Sequence, residues 1–444
     1  MCACPLSSIG SHVVGTSRAC GVRQAEPMSD PTARSWLATP THTAWLEAHT
    51  RKLVRFAVGS ALPAGGFAHQ DVDGSPLPGR TPQLFLTARM AHASAIGVAL
   101  GIPGAGSLLD HAMASLTGLF ADTEHGGWFS DPTTPDARKA VYDHVHVGLA
   151  AASACAVGHP GGPALLATAI DVIDTRLWDE DAQALRESFA RDWSDDEPYR
   201  GANANMHGLE AFLAIGDVTG DDRWHRRGLA MATRVVRDHA AGNGWLMPEH
   251  FDTDWRALPD YNRDEPNHPF RPYGATYGHS LEWARYLLAL HASPAGLLRP
   301  DEDWLVDAAC HLAGTALERG WAADGQDGLV YTVDWDGTPV SRLRLHWPIT
   351  EGIQACAALL RATGDARWEA WYRRLWDHAA TYFIDERGTW INELDADLQP
   401  SGDVWPGRPD YYHCIGALVV PTQPLSPFVT LAAAGRPSAI RPVA

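Results

Sequence analysis

A turn of the form glycine, aromatic, polar recurs along this chain, and its spacing constrains the fold more than any other feature. It reads GGFAHQDVDG from Gly65, GGWFSD from Gly126, GNGWLMPEHFD from Gly242, DGLVYTVDWDG from Asp327 and RGTWINELDAD from Arg387. Gly65 and Gly126 stand about 60 residues apart, as do Asp327 and Arg387. Gly126 and Gly242 are separated by nearly twice that, and DEPYRGANAN at Asp196 fills the place of a degenerate copy. Six units result. Each holds two stretches that are apolar at three-to-four spacing, long enough for ordinary globular helices. VTGDDRW from Val218 and ATGDARW from Ala362 join such stretches, with glycine as the stop of one helix and aspartate as the cap of the next. Six helical hairpins closing on themselves predict an all-α (α/α)6 barrel, six inner and six outer helices, with short β-hairpins in the loops at one mouth. An open helical solenoid is the alternative.

Composition fits one large soluble domain. Hydrophobic residues make up 45% and charged residues 20%, as in packed domains and unlike disordered or membrane chains. The formal charge of -18 argues against nucleic acid, whose phosphates call for a basic stripe. Eighteen tryptophans suit both a heavy core and stacking against sugar rings. No run reaches the roughly 18 apolar residues of a spanning helix, so no membrane partner is expected. Seven cysteines form no C-x-x-C pair, and Cys155, Cys310, Cys356 and Cys414 lie in apolar helical contexts, which predicts a reduced, cytoplasmic chain. Residues 1–35 lack the pattern of a signal peptide and are expected to be a disordered extension, with Met28 a candidate start. The barrel is expected over 36–435, a tail over 436–444, and a monomer or weak homo-oligomer in solution.

The starts of the inner helices are unusually polar for segments about to enter a core. Arg89 and His92 open the first, Tyr142 and His146 the second, Asn203 and His207 the third. His279 and Glu282, Trp347 and Glu351, and finally His413 follow in the other three. Spacings of three or four place each pair on one helix face. A lone histidine on an apolar face is more often a hydrogen-bonded core residue than a catalyst, but six units repeat the pattern. If the helix starts ring one mouth, Arg89, Tyr142, Asn203, His207, His279, Glu282, Trp347, Glu351 and His413 converge on a pocket with hydroxyl partners, an aromatic wall and bases that titrate near neutrality. Histidines and carboxylates also bind metals, yet no H-E-x-x-H is present, and neither metal nor cofactor is expected. A glycoside hydrolase on the same barrel, with Glu282 and Glu351 as acid and base, is the rival from another class. The excess of histidines weighs against it.

The segments YGHSLEWARYLL at Tyr277, NANMHGLEAFLAIGDVTGD at Asn203, KAVYDHVHVGLAAAS at Lys139, WPITEGIQA at Trp347 and RPDYYHCIGALVVP at Arg408 together resemble the N-acylglucosamine 2-epimerase superfamily. The resemblance covers roughly Trp45 to Ala432 and implies the (α/α)6 barrel and metal-independent chemistry on a monosaccharide. Within the superfamily, RPYGATYGHSLEW from Arg271 and the asparagine at 205 are most similar to the aldose-ketose isomerases of mannose, and next to those of sulfoquinovose. The implied reaction is D-mannose to D-fructose, with D-lyxose and D-xylulose as further substrates and a sugar 2-epimerase as the alternative. The resemblance carries the family's acid/base histidines onto His279 and His413. Glu282, one turn from His279, is expected to orient its imidazole. Arg89, Tyr142, Asn203, His207 and Glu351 are expected to hold the sugar, and Trp347 to stack on it. Arg271 or Arg89 is the candidate cation for a sulfonate. Tyr277 departs from the proline of many relatives.

Overall fold

The computed structural model of the chain describes residues 34–294, 297 and 304–440. The expectation for the extreme N-terminus lies outside these residues, except at its last two positions. Helices α1 (Pro40–Ala57), α2 (Leu84–Ala99), α3 (Ala105–Thr117), α4 (Val141–Ala156), α5 (Gly162–Val172) and α6 (Ala202–Thr219) make up the first half. Helices α7 (Arg223–Ala232), α8 (Tyr277–His291), α9 (Trp304–Gly320), α10 (His346–Thr363), α11 (Ala366–His378) and α12 (Tyr412–Val419) make up the second, and short α13 (Val429–Ala433) follows. The even-numbered helices up to α12 pack side by side in a closed ring, α12 returning to α2, and the odd-numbered ones from α1 to α11 lie outside them. This is the (α/α)6 barrel.

Inner and outer helices differ in sequence as their surroundings require. The inner ones are buried almost throughout and rich in small residues, as in Ala150, Ala151, Ala152 and Ala154 of α4, which lets neighbours approach closely. Outer α7 buries Trp224, His225, Gly228, Met231 and Ala232, a single helical stripe. The Gly-Asp junctions behave as their chemistry dictates. Gly220 and Gly364 end α6 and α10 in the left-handed region at φ of 76° and 70°. Asp365 then accepts the backbone N–H of Arg367 at 2.9 Å, and Asp221 that of Arg223 at 3.1 Å.

The short strands collect at the opposite mouth, and most of them link successive units. Lys139–Ala140 pairs with Ser188–Phe189, Arg200–Gly201 with His250–Phe251, Ala275–Thr276 with Thr332–Val333, and Arg344–Leu345 with Glu393–Leu394. In each case the first strand runs directly into an inner helix, so the pairing fixes where that helix's first turn points. At the other end, Ala439 donates to the carbonyl of Asp217 at 2.7 Å and Ser438 to its carboxylate at 2.6 Å, tying residues past 435 to α6.

Candidate active site

The first turns of the inner helices surround a cleft of about 760 Å³ counted to its open mouth. Arg89, Tyr142, Asn203, His207, His279, Glu282, Trp347 and His413 all line it. Two imidazoles there are held alike. His279 presents Nδ1 to Glu249 Oε2 at 2.9 Å, and His413 presents Nδ1 to Glu351 Oε1 at 2.8 Å. A carboxylate accepting at Nδ1 selects the Nδ1–H tautomer and leaves the Nε2 edge, with its lone pair, to the cleft. The Trp347 ring lies between the two, tilted 34° from His279 at 5.0 Å and 35° from His413 at 6.0 Å. It can lie there because residue 278 is glycine: a Cβ at that position would fall 2.3 Å from the tryptophan ring.

Below this pair the cleft is cationic on one side and acidic on the other. The Arg89 guanidinium donates through Nε to His146 Nε2 at 3.0 Å and through Nη2 to the Tyr142 hydroxyl at 2.6 Å, and it lies 3.5 Å from Asp410. Burial, this guanidinium and nearby imidazoles (His413 and His92 for His146, His146 foremost for His207) hold His146 and His207 well below the usual histidine range, so both are neutral. Burial also lowers His413, against the pull of Glu351. On the acidic side, Arg285 donates to Glu351 Oε2 at 2.9 Å and lies 3.7 Å from Glu282. Burial opposes the charge of Glu351, but Arg285 and His413 overcome it and hold its carboxyl low. Burial and the neighbouring Glu351 charge push Glu282 well above the carboxylate range, so it carries a proton into the cleft.

A sequence profile of the family described as N-acylglucosamine 2-epimerase (GlcNAc 2-epimerase) matches residues 65–417. The chain belongs to that family. Among its relatives, the D-mannose isomerase of Thermobifida fusca is 48% identical over 88% of this chain and 97% of that protein. The D-mannose isomerase of Pseudomonas cannabina pv. alisalensis is 46% identical over 91% and 98%. A crystal structure of a D-mannose isomerase superposes with a TM-score of 0.79 at 27% identity, covering 86% of this chain and 99% of that one. The cellobiose 2-epimerase of Bacillus thermoamylovorans B4167, with a TM-score of 0.71 and 19% identity over 86% of this chain and 99% of that one, shares the fold.

In this member of the N-acylglucosamine 2-epimerase family, two expectations about individual side chains need correction. Glu282 does not orient His279. Its Oε1 accepts from Tyr286 at 3.1 Å and lies 3.8 Å from His207, because it points into the barrel axis while His279 turns toward Glu249, the residue before the strand His250–Phe251. Glu351 does not face the sugar site either; with His413, Arg285 and Gln354 all bonded to it, it supports His413 from below and is not free to act as a glycosidase base. Arg271 is spent on Glu197 at 2.7 Å and Glu187 at 3.3 Å, outside the cleft lining. His92 is a satisfied core histidine, 2.7 Å from the Ser153 hydroxyl. Asn205 clamps the backbone of Leu185, accepting from its N–H at 2.8 Å and donating to its carbonyl at 3.2 Å.

Sequence reasoning missed Glu249, Tyr331, Asn392 and Asp410. A signal for the first three exists. Each stands three residues before the aspartate of a repeated turn, Asp252, Asp334 and Asp395, in E-H-F-D, Y-T-V-D and N-E-L-D. Glu249 and Asn392 accept the first N–H of α6 and α10 on their carbonyls, at 2.9 and 3.0 Å. That shared register turns the side chains of one repeat position toward the axis.

Proposed function

We propose that this chain is an aldose-ketose isomerase that interconverts D-mannose and D-fructose, and by the same stereochemistry D-lyxose and D-xylulose, without a metal ion. The observation that carries the reading is the pair of cleft imidazoles, His279 and His413, each fixed at Nδ1 by its own carboxylate and set on either side of Trp347. The similarity to D-mannose isomerases over most of the chain supports the choice of sugar.

In this reading the closed sugar first opens, one imidazole taking the O1 proton as the ring oxygen receives another. One Nε2 then takes the proton from C2 while O1 is protonated, giving an enediol. O2 loses its proton as C1 takes one back, and the 2-ketone forms. Glu282, which holds a proton in the cleft, is the acid for the sugar oxygens. Arg89, with Tyr142 and His207, faces the charge that develops on O1 and O2. Asn203, with a buried Oδ1 that has no partner, is set to accept from a sugar hydroxyl.

Glu282, Glu351 and His413 present ligand atoms within 4.8 Å of one another, a spacing a cation could use. Arg285, against Glu351 at 2.9 Å, already supplies the positive charge there, which favours the metal-free reading. Cys155, Cys356 and Cys414, which form no disulfide among the described residues, are in keeping with a cytoplasmic setting, and a monomer or weak homo-oligomer completes the proposal. Incubating purified protein with mannose in D2O plus EDTA and following products by NMR tests the whole of it. Fructose should form at the same rate with and without chelator. Unconsumed mannose, glucose as the first product, or activity abolished by EDTA would each overturn a part. Wild-type turnover by both His279→Asn and His413→Asn would sink the histidine assignment.

A further inference from the structure

The polar interior of the barrel has two openings. Besides the cleft, a second cavity of about 570 Å³ counted to its mouth lies at the far ends of the inner helices. It is lined by Glu210 of α6, Arg285, Tyr286 and Ala289 of α8, Arg361 of α10, and Phe428. Helix α8 reaches both: His279 and Glu282 face the cleft, Tyr286 and Ala289 the rear cavity. From His279 to Ala289 the helix rises about 15 Å.

Hydrogen bonds bridge that distance. The Tyr286 hydroxyl donates to Glu282 Oε1 at 3.1 Å and lies 3.1 Å from the Tyr412 hydroxyl, and Tyr412 donates to Glu210 Oε2. All four residues are buried. Arg285 runs alongside, 3.7 Å from Glu282 and 3.9 Å from Glu210, with its guanidinium 4.0 Å from the Tyr286 ring centroid. From the cleft side His207 Nδ1 lies 3.4 Å from the Tyr412 hydroxyl, and Arg89 stacks over the Tyr412 ring at 4.6 Å. One guanidinium cannot balance three buried carboxylates, and burial drives Glu210 as well as Glu282 toward the protonated form. A polar network whose only task is to fix the core needs no open end. This one ends in a cavity at each side.

We propose that Glu210, Tyr412, Tyr286 and Glu282 form a proton relay along the barrel axis, through which the cleft exchanges protons with water in the rear cavity while bound sugar seals the front. The proposal rests on the isomerase reading. When Glu282 gives its proton to a sugar oxygen, it takes one from the Tyr286 hydroxyl. With Glu210 protonated, its carboxyl donates to Tyr412 and the Tyr412 hydroxyl turns from Glu210 to Tyr286, so that Tyr286 takes one from Tyr412, Tyr412 from Glu210, and Glu210 from water. Every O–H bond broken is matched by one formed, and one proton enters at the rear for each that leaves Glu282. The proton that O2 later gives up runs the chain backwards.

Tyr286→Phe removes one hydroxyl and cuts the relay without touching the cleft lining, and Glu210→Gln is a second cut from the rear. Each is measured for mannose turnover after its Tm and circular dichroism are found close to those of the parent. We expect kcat to fall on the order of tenfold or more with little change in KM. Adding imidazole or formate, small acids able to enter the rear cavity that Tyr286 and Glu210 line, should restore turnover in a concentration-dependent way and leave the parent unaffected. Parental kcat in both folded variants, or a loss that neither acid lifts, overturns the relay. Failure of the parent to make fructose is read first, and it overturns the isomerase reading itself.

Discussion

At the scale of single residues, the site depends on carboxylates that touch imidazoles and not sugar. Glu249 and Glu351 are the partners that keep His279 and His413 in one tautomer. Replacing such a buried carboxylate by its amide leaves the shape but presents the wrong hydrogen-bonding group, an effect on the order of 10⁴ in kcat where measured in a catalytic triad. Glu249→Gln is therefore expected to lower kcat by roughly 10²- to 10⁴-fold with KM little changed, read by steady-state kinetics on mannose. His92 gives a different kind of prediction. Burial, then the Arg285 charge, depress it to about 3, so the folded chain leaves it neutral where the unfolded chain takes up a proton near pH 6.5. A histidine lowered on folding costs stability as pH falls from the unfolded value toward the folded one. His92→Gln should therefore flatten the dependence of unfolding free energy on pH by ~1.4 kcal/mol per pH unit between about pH 6 and pH 4, measured by urea titration. An unchanged slope would show that His92 is charged in the fold.

At the scale of elements, the reading of the chain succeeded where periodicity acts and failed where side-chain direction decides. Glycine stops, aspartate caps and the spacing of polar residues give the order of the helices and bring Arg89, Tyr142, Asn203, His207, His279, Glu282, Trp347 and His413 to one mouth. Periodicity places Cβ atoms on a face. It does not say whether Glu282 leans toward His279 or toward Tyr286, and it cannot see Glu249, which reaches the site across a strand pairing from the neighbouring unit. Gly278 belongs to this scale because it joins α8 to α10. Its replacement by alanine puts a Cβ 2.3 Å from the Trp347 ring, and relief must come from moving that ring. Overpacking of this kind costs about 1–3 kcal/mol, so Gly278→Ala should lower Tm and, by displacing the wall between the histidines, lower activity further than stability accounts for. In a Trp347→Leu background the stability cost should shrink, and additive losses in that double-mutant cycle would refute the contact argument.

At the scale of the whole molecule, the ring closes, α12 packing against α2 inside and α1 against α12. An open array of hairpins can lose its terminal repeats first, because each repeat touches only its neighbours. Here every inner helix has two inner neighbours, and losing one exposes the polar axis. Calorimetry is expected to give one unfolding transition with calorimetric and van't Hoff enthalpies in agreement, whereas separate transitions would mean that the hairpins fold as independent blocks. The strand pairings at the mouth carry a further consequence. They bind each unit to the next on that side alone, while Gly364–Asp365 on the other side is a bare two-residue bend between α10 and α11. A backbone cut engineered at that bend leaves all four strand pairings intact, so the two resulting polypeptides, expressed separately, should find each other and reconstitute a working enzyme. Halves divided between Thr332 and Ser341 would have to rebuild the torn mouth first.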